Sequence, residues 1–454
     1  MIIRSINPAT GHINGEFETV SAADAVKAAR EVRRSFREWK ALPIEQRAEL
    51  IRNLAAELSK NRDEFARLIT IEMGKPISES LGEIDSCARL CLTVANNAKQ
   101  WLAEEPISTE FRKSYVSFEP LGLIFVIMPW NYPFSQVLRC AVPALAAGNV
   151  VLVRHSNSVP LCSIALERAF KVSGFPDVFR TIITDHSAVP RLIRSSFVDG
   201  VSITGGSEAG RSVGKLAAQQ IKKTVLELGG SNAFIVLEDC DVKLAAKNAI
   251  ESRIKTGGQA CTSSKRFIVV NAVAESFVRE VIELAKGVVP GDPLDPATRL
   301  GPLANAQQVE KIDGQVKDAI TNGATLNCGG KRHGTIGNFY ELTILTGVKR
   351  NMRVMKEEVF GPVMPIITVK NEEAAIRLGN ESNYGLGASI WTKDIGRGER
   401  LAAQIEAGMA CINRLSNSDQ RMPFGGIKKS GIGREFSRYG ILEFVNIKSV
   451  IVSD

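Results

Sequence analysis

The sequence lacks the residue patterns that mark metal sites, disulfide frameworks and membrane spans. Its eight cysteines form no Cys-x-x-Cys pair, and its four histidines do not cluster. No apolar run approaches the roughly 18 residues of a membrane helix, and residues 1–8 lack the apolar core and cleavage site of a signal peptide. We therefore expect no metal, no disulfide framework, no membrane association and a cytoplasmic protein.

A patch of charge of one sign is also missing, although the chain is basic overall. The formal net charge is +8, but the lysines and arginines are spread along predicted helices. This distribution indicates a solvated surface that helps an anionic cofactor to approach, and it predicts no nucleic-acid partner. A chain of 454 residues, 44% hydrophobic and 23% charged, is predicted to form two or three globular domains.

The pattern of apolar residues changes at about residue 121. The first hundred residues have helical periodicity, and Ser21, with Asp24 three positions later, is predicted to cap the first helix. Beyond residue 121, β-rich runs alternate with helix-length segments; the runs are 123–127, 150–153, 181–184, 201–204 and 224–226. This alternation predicts parallel βαβ units with a ligand at the carboxyl ends of the strands.

The usual dinucleotide fingerprint, Gly-x-Gly-x-x-Gly, is absent from these units. The nearest glycine-rich loop is 204–210, which lies between a predicted strand and a predicted helix. Backbone N–H groups at the start of that helix could meet a pyrophosphate. A second α/β region is predicted from about residue 231, with strands at 234–237 and 267–270 and helices around 273–285, 304–321 and 395–407.

Two glycine-containing segments in the middle of the chain have the composition of a catalytic site. Residues 257–261 read Gly-Gly-Gln-Ala-Cys, a flexible turn that ends on Cys261, and residues 226–230 read Leu-Glu-Leu-Gly-Gly. Glycines let a substrate approach the backbone, and a carboxylate such as Glu227 can deprotonate a thiol or a water. Each segment by itself is ordinary, because a lone cysteine is usually a small buried side chain and Glu-x-Gly-Gly often only ends a strand or helix.

Several motifs, in order along nearly the whole chain, resemble those of the aldehyde dehydrogenase superfamily. They are Asn7-Pro8-Ala9-Thr10-Gly11, Pro129-Trp130-Asn131-Tyr132-Pro133, Glu227-Leu228-Gly229-Gly230, Gly258-Gln259-Ala260-Cys261, Glu358-Val359-Phe360-Gly361-Pro362-Val363 and Pro423-Phe424-Gly425-Gly426. The resemblance implies an α/β fold with a Rossmann-type parallel-sheet cofactor domain, an α/β catalytic domain and a small β hairpin for bridging and oligomerisation.

The same resemblance implies domain boundaries and an oligomer. We expect an NAD(P)-binding domain at 1–101 and 121–229, a catalytic domain at 230–430, and a bridging element at 102–120 and 431–454. The tail at 449–452 is strand-like and would be an exposed edge unless another subunit pairs with it. A homodimer or homotetramer is therefore expected.

Each catalytic position has a role in the resembled family. Cys261 corresponds to the nucleophile, and Asn131 together with the Cys261 backbone N–H corresponds to the oxyanion site. Glu227 corresponds to the base that activates water against a thioester. A neutral amide donor suits an oxyanion because it stabilises the charge without protonating it. Apart from the resemblance, Asn131 is equally well a turn residue before Pro133.

The resemblance also implies an NAD(P) cofactor. Glu358 corresponds to the residue that holds the nicotinamide ribose, Phe360 to the residue beside the nicotinamide, and Trp130 and Gly205 to the wall and floor of the cleft. Without the resemblance, Glu358 and Phe360 would be interpreted as the end of a helix that carries a buried aromatic side chain. The full predicted cofactor set is Trp130, Arg154, Ser156, Asn157, Gly205, Gly206, Ser207, Leu228, Glu358 and Phe360.

Residues 154–157 depart from the Lys-Pro-Ser-Glu that is common in the family and read Arg-His-Ser-Asn. The family's adenosine-binding glutamate becomes Asn157, which no longer repels a 2′-phosphate, and Arg154 could hold that phosphate with a fork of hydrogen bonds. We therefore predict NADP⁺ as the preferred cofactor, with NAD⁺ possible. Two further departures, Gly206 for a serine and Thr256 for an asparagine, leave the chemistry in place.

Within the superfamily the chain looks most like bacterial-type succinate-semialdehyde dehydrogenases. Arg139 and Ser418 fall where that subfamily is expected to hold the substrate carboxylate, so succinate semialdehyde is the predicted substrate. The subfamily's bulky tryptophan is Ser135 here and the residue beside the nucleophile is Ala260, so the pocket differs. Another short aldehyde, such as lactaldehyde or glyceraldehyde, is the alternative, with Arg139 in a surface or interface ion pair.

Two other readings stay open. A CoA-acylating enzyme would resolve the thioester with CoA, and Glu227 argues against it because such an enzyme needs no water-activating carboxylate. A non-catalytic homologue that kept the fold is the second, since fold does not determine function. The joint presence of Cys261, Glu227 and Asn131 argues against that reading.

Overall fold

The computed structural model describes all 454 residues, and the first hundred are mainly helical, as predicted. The elements of this region are β1 (Ile2–Ile6), β2 (Ile13–Glu18), α1 (Ala22–Arg34), α2 (Phe36–Ala41), α3 (Ile44–Lys60), α4 (Arg62–Met73) and α5 (Ile77–Trp101). The predicted cap of α1 is confirmed, because Ser21 Oγ accepts a hydrogen bond from the Asp24 N–H at 3.1 Å.

The predicted βαβ units follow. Their elements are β3 (Glu105–Pro106), β4 (Lys113–Pro120), β5 (Leu123–Met128), α6 (Ser135–Ala146), β6 (Val150–His155), α7 (Pro160–Val172), β7 (Phe179–Ile182), α8 (Ala188–Arg194), β8 (Gly200–Thr204), α9 (Ser207–Gln219) and β9 (Lys223–Glu227). Strands β5, β6 and β8 are buried along their whole length, which explains why they read as unbroken apolar runs.

The strand predicted at 181–184 lies two residues earlier, at Phe179–Ile182. Its last two predicted residues bond to the N-terminal region instead of to the sheet. The Val20 N–H donates to the Ile183 carbonyl at 2.9 Å, and Thr184 Oγ1 donates to the Val20 carbonyl at 3.1 Å. A partner distant in sequence therefore ends the strand.

The second α/β region contains most of the remaining elements. They are β10 (Asn232–Val236), α10 (Val242–Ile254), β11 (Ser264–Val270), α11 (Asn271–Ala285), α12 (Ala306–Thr321), β12 (Thr325–Cys328), β13 (Thr343–Thr346), α13 (Arg353–Lys356), β14 (Val363–Val369), α14 (Glu372–Asn380), β15 (Tyr384–Gly385), β16 (Gly387–Trp391), α15 (Ile395–Ala402) and β17 (Met409–Ile412). The last elements are β18 (Ile427–Lys428), β19 (Gly431–Ile432), α16 (Ser437–Ile441) and β20 (Val445–Val452).

Helix α15 is shorter than the predicted 395–407. Asn380 bonds the backbone just beyond it, because its Nδ2 donates to the Gln404 carbonyl at 2.8 Å and its Oδ1 accepts from the Glu406 N–H at 2.9 Å. These bonds replace the next helical turn and direct the chain into β17.

Two large sheets organise the molecule. One has the strand order β19-β9-β8-β5-β6-β7 and is parallel except for β19; the other has the order β12-β13-β14-β11-β10-β16-β17 and is parallel except for β12. Each sheet packs into its own hydrophobic core, the first of 68 buried residues and the second of 48. Two hydrophobic cores agree with the expectation that a chain of 454 residues is too long for a single core.

A smaller sheet, β20-β4-β3, combines the tail with the segment before β5. Strand β20 pairs with β4 along its length and has no strand on its other side. Residues 431–444 do not belong to this sheet, since β19 pairs with β9 and both Phe436 and Ile441 lie in the first core. The predicted domain boundaries otherwise stay a prediction.

The functional segments lie where the two large sheets face each other. Asn131, Gly205 and Glu227 lie at the carboxyl ends of β5, β8 and β9. Cys261 comes just before β11, and Glu358 just before β14, so both lie at the amino ends of the second sheet's strands. None of the helices combines the length and apolar character needed to cross a membrane.

Candidate active site

Cys261 ends an irregular turn between α10 and β11. The turn begins with a 3-10 segment, Lys255–Gly258, in which φ is +52° at Thr256 and +71° at Gly258. Position 258 requires glycine, because a Cβ there would lie 2.3 Å from the Gly361 carbonyl oxygen. The bend leaves the Cys261 side chain half-buried instead of inside the core.

Buried partners hold Thr256 in its left-handed conformation. Its N–H and Oγ1 donate to Glu79 Oε2 at 2.8 and 2.9 Å. The single Oγ1 hydrogen is used in that bond, so Tyr132 Oη donates to Oγ1 at 2.9 Å. Burial raises the pKa of Glu79, and the charge of Lys75 opposes this effect. Helix α5, which carries Glu79, thus fixes the turn before Cys261.

The same helix holds the turn that carries Asn131. Glu83 Oε1 accepts hydrogen bonds from the N–H groups of Phe134 and Ser135, each at 3.0 Å. Glu83 is also ion-paired with Lys75, and both side chains are fully buried. A buried pair of this kind needs hydrogen bonds to its remaining atoms, and the start of α6 supplies two of them.

Asn131 is 4% exposed and lies beside the Cys261 turn. One of its two Nδ2–H groups donates to the Gln259 carbonyl at 2.9 Å, and its Oδ1 has no partner. The second Nδ2–H is left for an oxygen close to Cys261. This arrangement suits an oxyanion site, although the role itself stays a prediction.

Two cavities meet at Cys261. The Phe360 cavity, of about 190 Å³, is lined by Trp130, Asn131, Gly205, Gly206, Leu228, Cys261, Gln308, Lys311, Glu358 and Phe360 among others. The Ser418 cavity, of about 400 Å³, is lined by Glu79, Arg89, Tyr132, Arg139, Lys255, Cys261 and Ser418 among others. A thiol at this junction can be reached from both sides.

The surroundings of Cys261 act on its acidity in opposite directions. Burial raises the pKa of the Cys261 thiol, because the thiolate would lose hydration. The positive charges of Arg139 and Lys265 oppose this rise, and the negative charges of Glu227 and Glu358 add to it. The net direction is upward. A nearby base or a rising pH is therefore needed to form the nucleophilic thiolate.

Glu227 ends β9 and is 2% exposed. Its Oε1 has no hydrogen-bond partner, and a Cβ on Gly425 would lie 2.6 Å from that atom. Burial raises the pKa of Glu227 well above its usual range and the charge of Glu435 raises it further, while Arg139 and Arg434 oppose both. The carboxyl group lines neither cavity, so its part as a base stays a prediction.

Glu358 is fixed by the double glycine that follows Glu227. Its Oε1 accepts hydrogen bonds from the Gly230 N–H and from Lys265 Nζ, each at 3.0 Å. A Cβ on Gly229 would lie 2.3 Å from Glu358 Oε2. Glycine at position 229 therefore leaves the space that the carboxylate of Glu358 occupies.

Aromatic rings and open backbone form the rest of the Phe360 cavity. Trp130 and Phe360 meet edge to face, with ring centroids 5.8 Å apart. The Gly205 N–H donates to the Glu227 carbonyl at 3.0 Å, and Gly206 caps α9, where a Cβ would have no atom within 4 Å. The start of α9 is thus open to a ligand in the cavity.

The loop after β6 is separate from this cavity. Arg154 is 6% exposed, its Nη2 donates to Asn157 Oδ1 at 3.4 Å, and its Nε has no partner. Arg154, Ser156, Asn157 and Ser207 do not line the Phe360 cavity. Ser207 Oγ instead donates to a backbone carbonyl at 3.5 Å. Their predicted contacts with adenosine stay a prediction.

Arg139 lies on α6 and forms an ion pair of 2.8 Å with Glu435 Oε2, inside the subunit. Neither a surface pair nor an interface pair describes it, because both side chains are buried. Its guanidinium also lies 4.8 Å from the centre of the Phe424 ring. Arg139 nevertheless lines the Ser418 cavity together with Ser418. Substrate binding by these two residues stays a prediction.

Sequence reasoning missed several residues of the site. Gln308 and Lys311, three positions apart on α12, face the Phe360 cavity, and the exposed Lys255 and Arg89 line the Ser418 cavity. Lys265 had a signal in the sequence, since it places a charge in β11, whose residues from Phe267 onward are apolar. The others look like ordinary surface residues of helices.

The fold and the site together define an α/β protein with a cysteine at the junction of two cavities, flanked by an amide donor and a buried carboxyl. A family model described as aldehyde dehydrogenase family matches residues 1–450, and the chain belongs to this family. The expected fold is confirmed by solved structures of that family.

Similar proteins share the full length of the chain. It is 42% identical over 454 residues to a probable succinate-semialdehyde dehydrogenase [NADP(+)] of Synechocystis sp., with all of both chains covered. It is 39% identical to succinate semialdehyde dehydrogenase [NAD(P)+] Sad of Escherichia coli, covering 98% of this chain and 97% of the relative. A succinic semialdehyde dehydrogenase from Streptococcus pyogenes, solved with NADP⁺, has 33% identity and a TM-score of 0.97 over the whole of both chains.

Proposed function

We propose that this chain oxidises succinate semialdehyde to succinate and uses NADP⁺ in preference to NAD⁺. The observation that carries the proposal is the position of Cys261, whose thiol lies where the Phe360 and Ser418 cavities meet. A cofactor can approach from the first cavity and an aldehyde from the second. The names of the Synechocystis and Streptococcus relatives support both the aldehyde and the cofactor.

The residues of the Phe360 cavity fit a nicotinamide dinucleotide. Glu358 Oε2 accepts no hydrogen bond from the protein and is available to ribose hydroxyls, while the rings of Trp130 and Phe360 offer flat apolar surface. Lys311 supplies a positive charge, and the open backbone at Gly206 leads to the start of α9. A diphosphate is stabilised by both features.

The chain's own groups account for the remaining chemistry. Cys261 first loses its thiol proton to solvent. The sulfur then bonds to the aldehyde carbon as the carbonyl π bond breaks, and the oxygen, now negative, accepts a hydrogen bond from the free Nδ2–H of Asn131. When bound, the nicotinamide supplies the oxidant that takes a hydride from this carbon, which leaves a thioester on Cys261. Glu227 takes a proton from water as the water oxygen bonds to the thioester carbon. The carbon–sulfur bond then breaks as the proton held by Glu227 passes to the sulfur, which releases the acid and restores both the thiol and the base.

The preference for NADP⁺ rests on the loop after β6. No carboxylate occupies position 157, and the Nε of Arg154 has no partner within the protein. An arginine can hold a phosphate with two parallel hydrogen bonds. NAD⁺ remains usable, because none of the residues around Glu358 distinguishes the two cofactors.

Positive charge in the Ser418 cavity supports a substrate with a carboxylate. Arg89 and Lys255 line the cavity and take part in no ion pair, whereas Arg139 is paired with Glu435. Ser418 adds a hydroxyl that can donate a hydrogen bond. A charge-assisted hydrogen bond to a carboxylate contributes about 1.5–3 kcal/mol. The pairing of Arg139 is the observation that favours the alternative, another short aldehyde such as lactaldehyde or glyceraldehyde.

A panel of aldehydes tests the proposal, with reduction of the nicotinamide followed by absorbance. Succinate semialdehyde should exceed uncharged butanal by roughly ten- to a hundredfold in kcat/KM. Added CoA should not increase the rate, and Cys261→Ala should remove oxidation but leave cofactor binding intact. If butanal, lactaldehyde or glyceraldehyde is the better substrate, the substrate assignment is wrong. A Cys261→Ala rate within tenfold of wild type would overturn Cys261 as the nucleophile.

The contribution of Arg139 is tested by the ratio of two substrates. Arg139→Leu leaves Glu435 unpaired in a buried position, so a loss of stability is expected whatever the substrate. The ratio of kcat/KM for succinate semialdehyde to that for butanal is insensitive to such a general loss. It should fall towards one if Arg139 holds the carboxylate. Ser418→Ala is the milder companion variant, because Ser418 is exposed.

We further propose a homodimer or homotetramer in the cytoplasm. The free edge of β20 supports subunit pairing. The chemistry supports the compartment, because a catalytic thiol must stay reduced, as the cytoplasm allows. The proposed domains are an NAD(P)-binding domain at 1–101 and 121–229, a catalytic domain at 230–430, and a bridging element formed by 102–120 and the tail.

A further inference from the structure

Lys265 is a fully buried lysine beside the catalytic turn, in strand β11. Its Nζ donates to the Cys261 carbonyl oxygen at 2.8 Å and lies 3.0 Å from Glu358 Oε1. It also lies 5.8 Å from the centre of the Phe360 ring. Three residues of the candidate site, from two separate segments of the chain, therefore meet at one ammonium group.

Packing alone does not account for a lysine at this position. Its exposed fraction is 0%, and the following residues of β11 from Phe267 onward are apolar. An ammonium removed from water is costly unless it is paired and hydrogen-bonded. Burial lowers the pKa of Lys265, and the charge of Glu358 opposes this effect. An apolar side chain would fill the same space without that cost.

The contacts of Glu358 show what the lysine holds in place. Oε1 is taken by Lys265 and by the Gly230 N–H, both at 3.0 Å, while Oε2 accepts no hydrogen bond. Glu358 is thus fixed through one oxygen and presents the other. Without the lysine, a single hydrogen bond from Gly230 would remain to orient the carboxylate.

We infer that Lys265 is a positioning residue that couples the carboxylate of Glu358 to the turn that carries Cys261. The inference rests on the proposed function, in which Glu358 meets the cofactor ribose. The lysine orients Glu358 for the cofactor, and it holds the Cys261 backbone while placing a positive charge near the thiol. Cofactor affinity and thiol reactivity thus depend on the same side chain.

The electrostatic consequence for the thiol has a definite sign. The positive charge of Lys265 favours the thiolate and so opposes the upward shift that burial gives the pKa of Cys261. Removal of the charge should raise that pKa further. The negative charge of Glu358 acts in the opposite direction, so its removal should lower the pKa.

The test uses two measurements that need no turnover. The first is the pH dependence of Cys261 alkylation by iodoacetamide in the cofactor-free protein, followed on the Cys261 peptide by mass spectrometry. The second is the NADP⁺ dissociation constant from protein fluorescence. The variants are Lys265→Met, Lys265→Arg and Glu358→Gln, and the matched control is Lys317→Met on an exposed face of α12.

Lys265→Met should raise the midpoint pH of alkylation by about one, which is tenfold in reactivity at fixed pH, and should weaken NADP⁺ binding about tenfold. Lys265→Arg should restore most of both properties, and Lys317→Met should change neither. Glu358→Gln should weaken NADP⁺ binding and lower the alkylation midpoint. The opposite signs at Lys265 and Glu358 distinguish electrostatic coupling from general damage to the site.

Two results would overturn the inference. In the first, Lys265→Met lowers the melting temperature but leaves the midpoint and the dissociation constant within twofold of wild type, as for a purely structural lysine. In the second, which applies even if Lys265→Met does not fold, Glu358→Gln leaves the alkylation midpoint unchanged. Both readouts are independent of the aldehyde panel, so failure of the proposed substrate is a separate result.

Discussion

At the scale of single residues, the site contains two acids whose protonated forms are favoured. Burial raises the pKa of both Cys261 and Glu227, because a thiolate or a carboxylate loses hydration there. For Glu227, the neighbouring charge of Glu435 adds to the effect. In the proposed mechanism both groups act in their deprotonated forms, so a raised pKa lowers the reactive fraction of each.

This acidity predicts that activity rises with pH. A raised pKa means that the deprotonated fraction of Cys261 and of Glu227 at a given pH is smaller than for the free side chain, and it grows as the pH increases. We expect kcat to increase from neutral into alkaline pH, up to the pH at which the protein loses its folded structure. The increase is measured by a pH profile of kcat at constant ionic strength. A flat profile from neutral to alkaline pH would show that both groups are deprotonated in the working enzyme.

The role of Glu227 can be separated from that of Cys261 by Glu227→Gln, which keeps the shape but removes the base. If hydrolysis follows hydride transfer, rapid mixing should give a burst of about one reduced cofactor per site and then slow turnover. The pH dependence of the slow phase should also weaken. Loss of the burst itself would place Glu227 earlier, in the activation of Cys261.

The cofactor preference is predicted to depend on position 157. A glutamate there would face the 2′-phosphate of NADP⁺, and two unit charges about 4 Å apart repel by about 4 kcal/mol at an effective dielectric constant near 20, before screening. Asn157→Glu should therefore shift kcat/KM towards NAD⁺, whereas Asn157→Gln, the control for size, should not. A wild-type enzyme that clearly prefers NAD⁺ would show that Arg154 does not meet the phosphate.

At the scale of elements, helix α5 determines where the turns that carry Cys261 and Asn131 lie. Glu79 holds Thr256 on the way to Cys261, and Glu83, one helical turn later, holds the start of α6 next to Asn131. The two glutamates are four residues apart and so lie on one face of the helix. One rigid element thereby sets the distance between Cys261 and Asn131.

Glu79→Ala should misplace the Cys261 turn without unfolding the protein. It removes two hydrogen bonds to Thr256, a residue with a φ of +52° that needs support to stay in that conformation. We expect kcat to fall about tenfold or more, since hydrogen bonds to a charged group contribute about 1.5–3 kcal/mol each. Ser78→Ala, at an exposed position of α5, is the matched control. Unchanged kcat in Glu79→Ala would show that the turn holds its shape alone.

At the scale of the whole molecule, the site lies between two separately packed cores. The carboxyl ends of β5, β8 and β9 face the amino ends of β11 and β14, so neither sheet contains a complete site. The tail then crosses back, since β19 joins the first sheet and β20 joins β4. Strand β20 leaves an apolar edge region exposed, with Ile447 at 59% and Ile451 at 60%.

That exposed region predicts the effect of charge on assembly. Ile447→Lys combined with Ile451→Lys should shift the protein from an oligomer to a monomer at micromolar concentration, because like charges would meet at the paired edges. Folding should be retained, since both side chains are exposed. Light scattering after size-exclusion chromatography measures the mass, and Asn446→Lys is the control. An oligomer of unchanged mass would place the interface elsewhere.

Many features of the fold followed from local patterns. The apolar runs of β5, β6 and β8 gave strands at nearly the predicted positions, because both faces of each are buried. Errors arose where a distant residue decided the outcome. Val20 ends the strand near 182, and Asn380 ends α15 early, and neither effect has a signal in the local sequence.

The sequence by itself determined the family and the class of fold, and it predicted the reacting groups. Its glycines were informative for a physical reason, since a Cβ at Gly229 or Gly258 would collide with Glu358 or with the Gly361 carbonyl. Each of these glycines therefore marks a close approach by a segment about 100 or more positions away.

Only the tertiary structure decided the partners of the charged side chains. The pairing of Arg139 with Glu435, and of Lys265 with Glu358 and the Cys261 carbonyl, joins residues that are 93 to 296 positions apart or that meet across a turn. Their energies depend on burial and on distances of about 3 Å, which no local pattern encodes. The acidity of Cys261 and Glu227 follows first from burial and then from these neighbouring charges, and so it emerges only when the two sheets face each other.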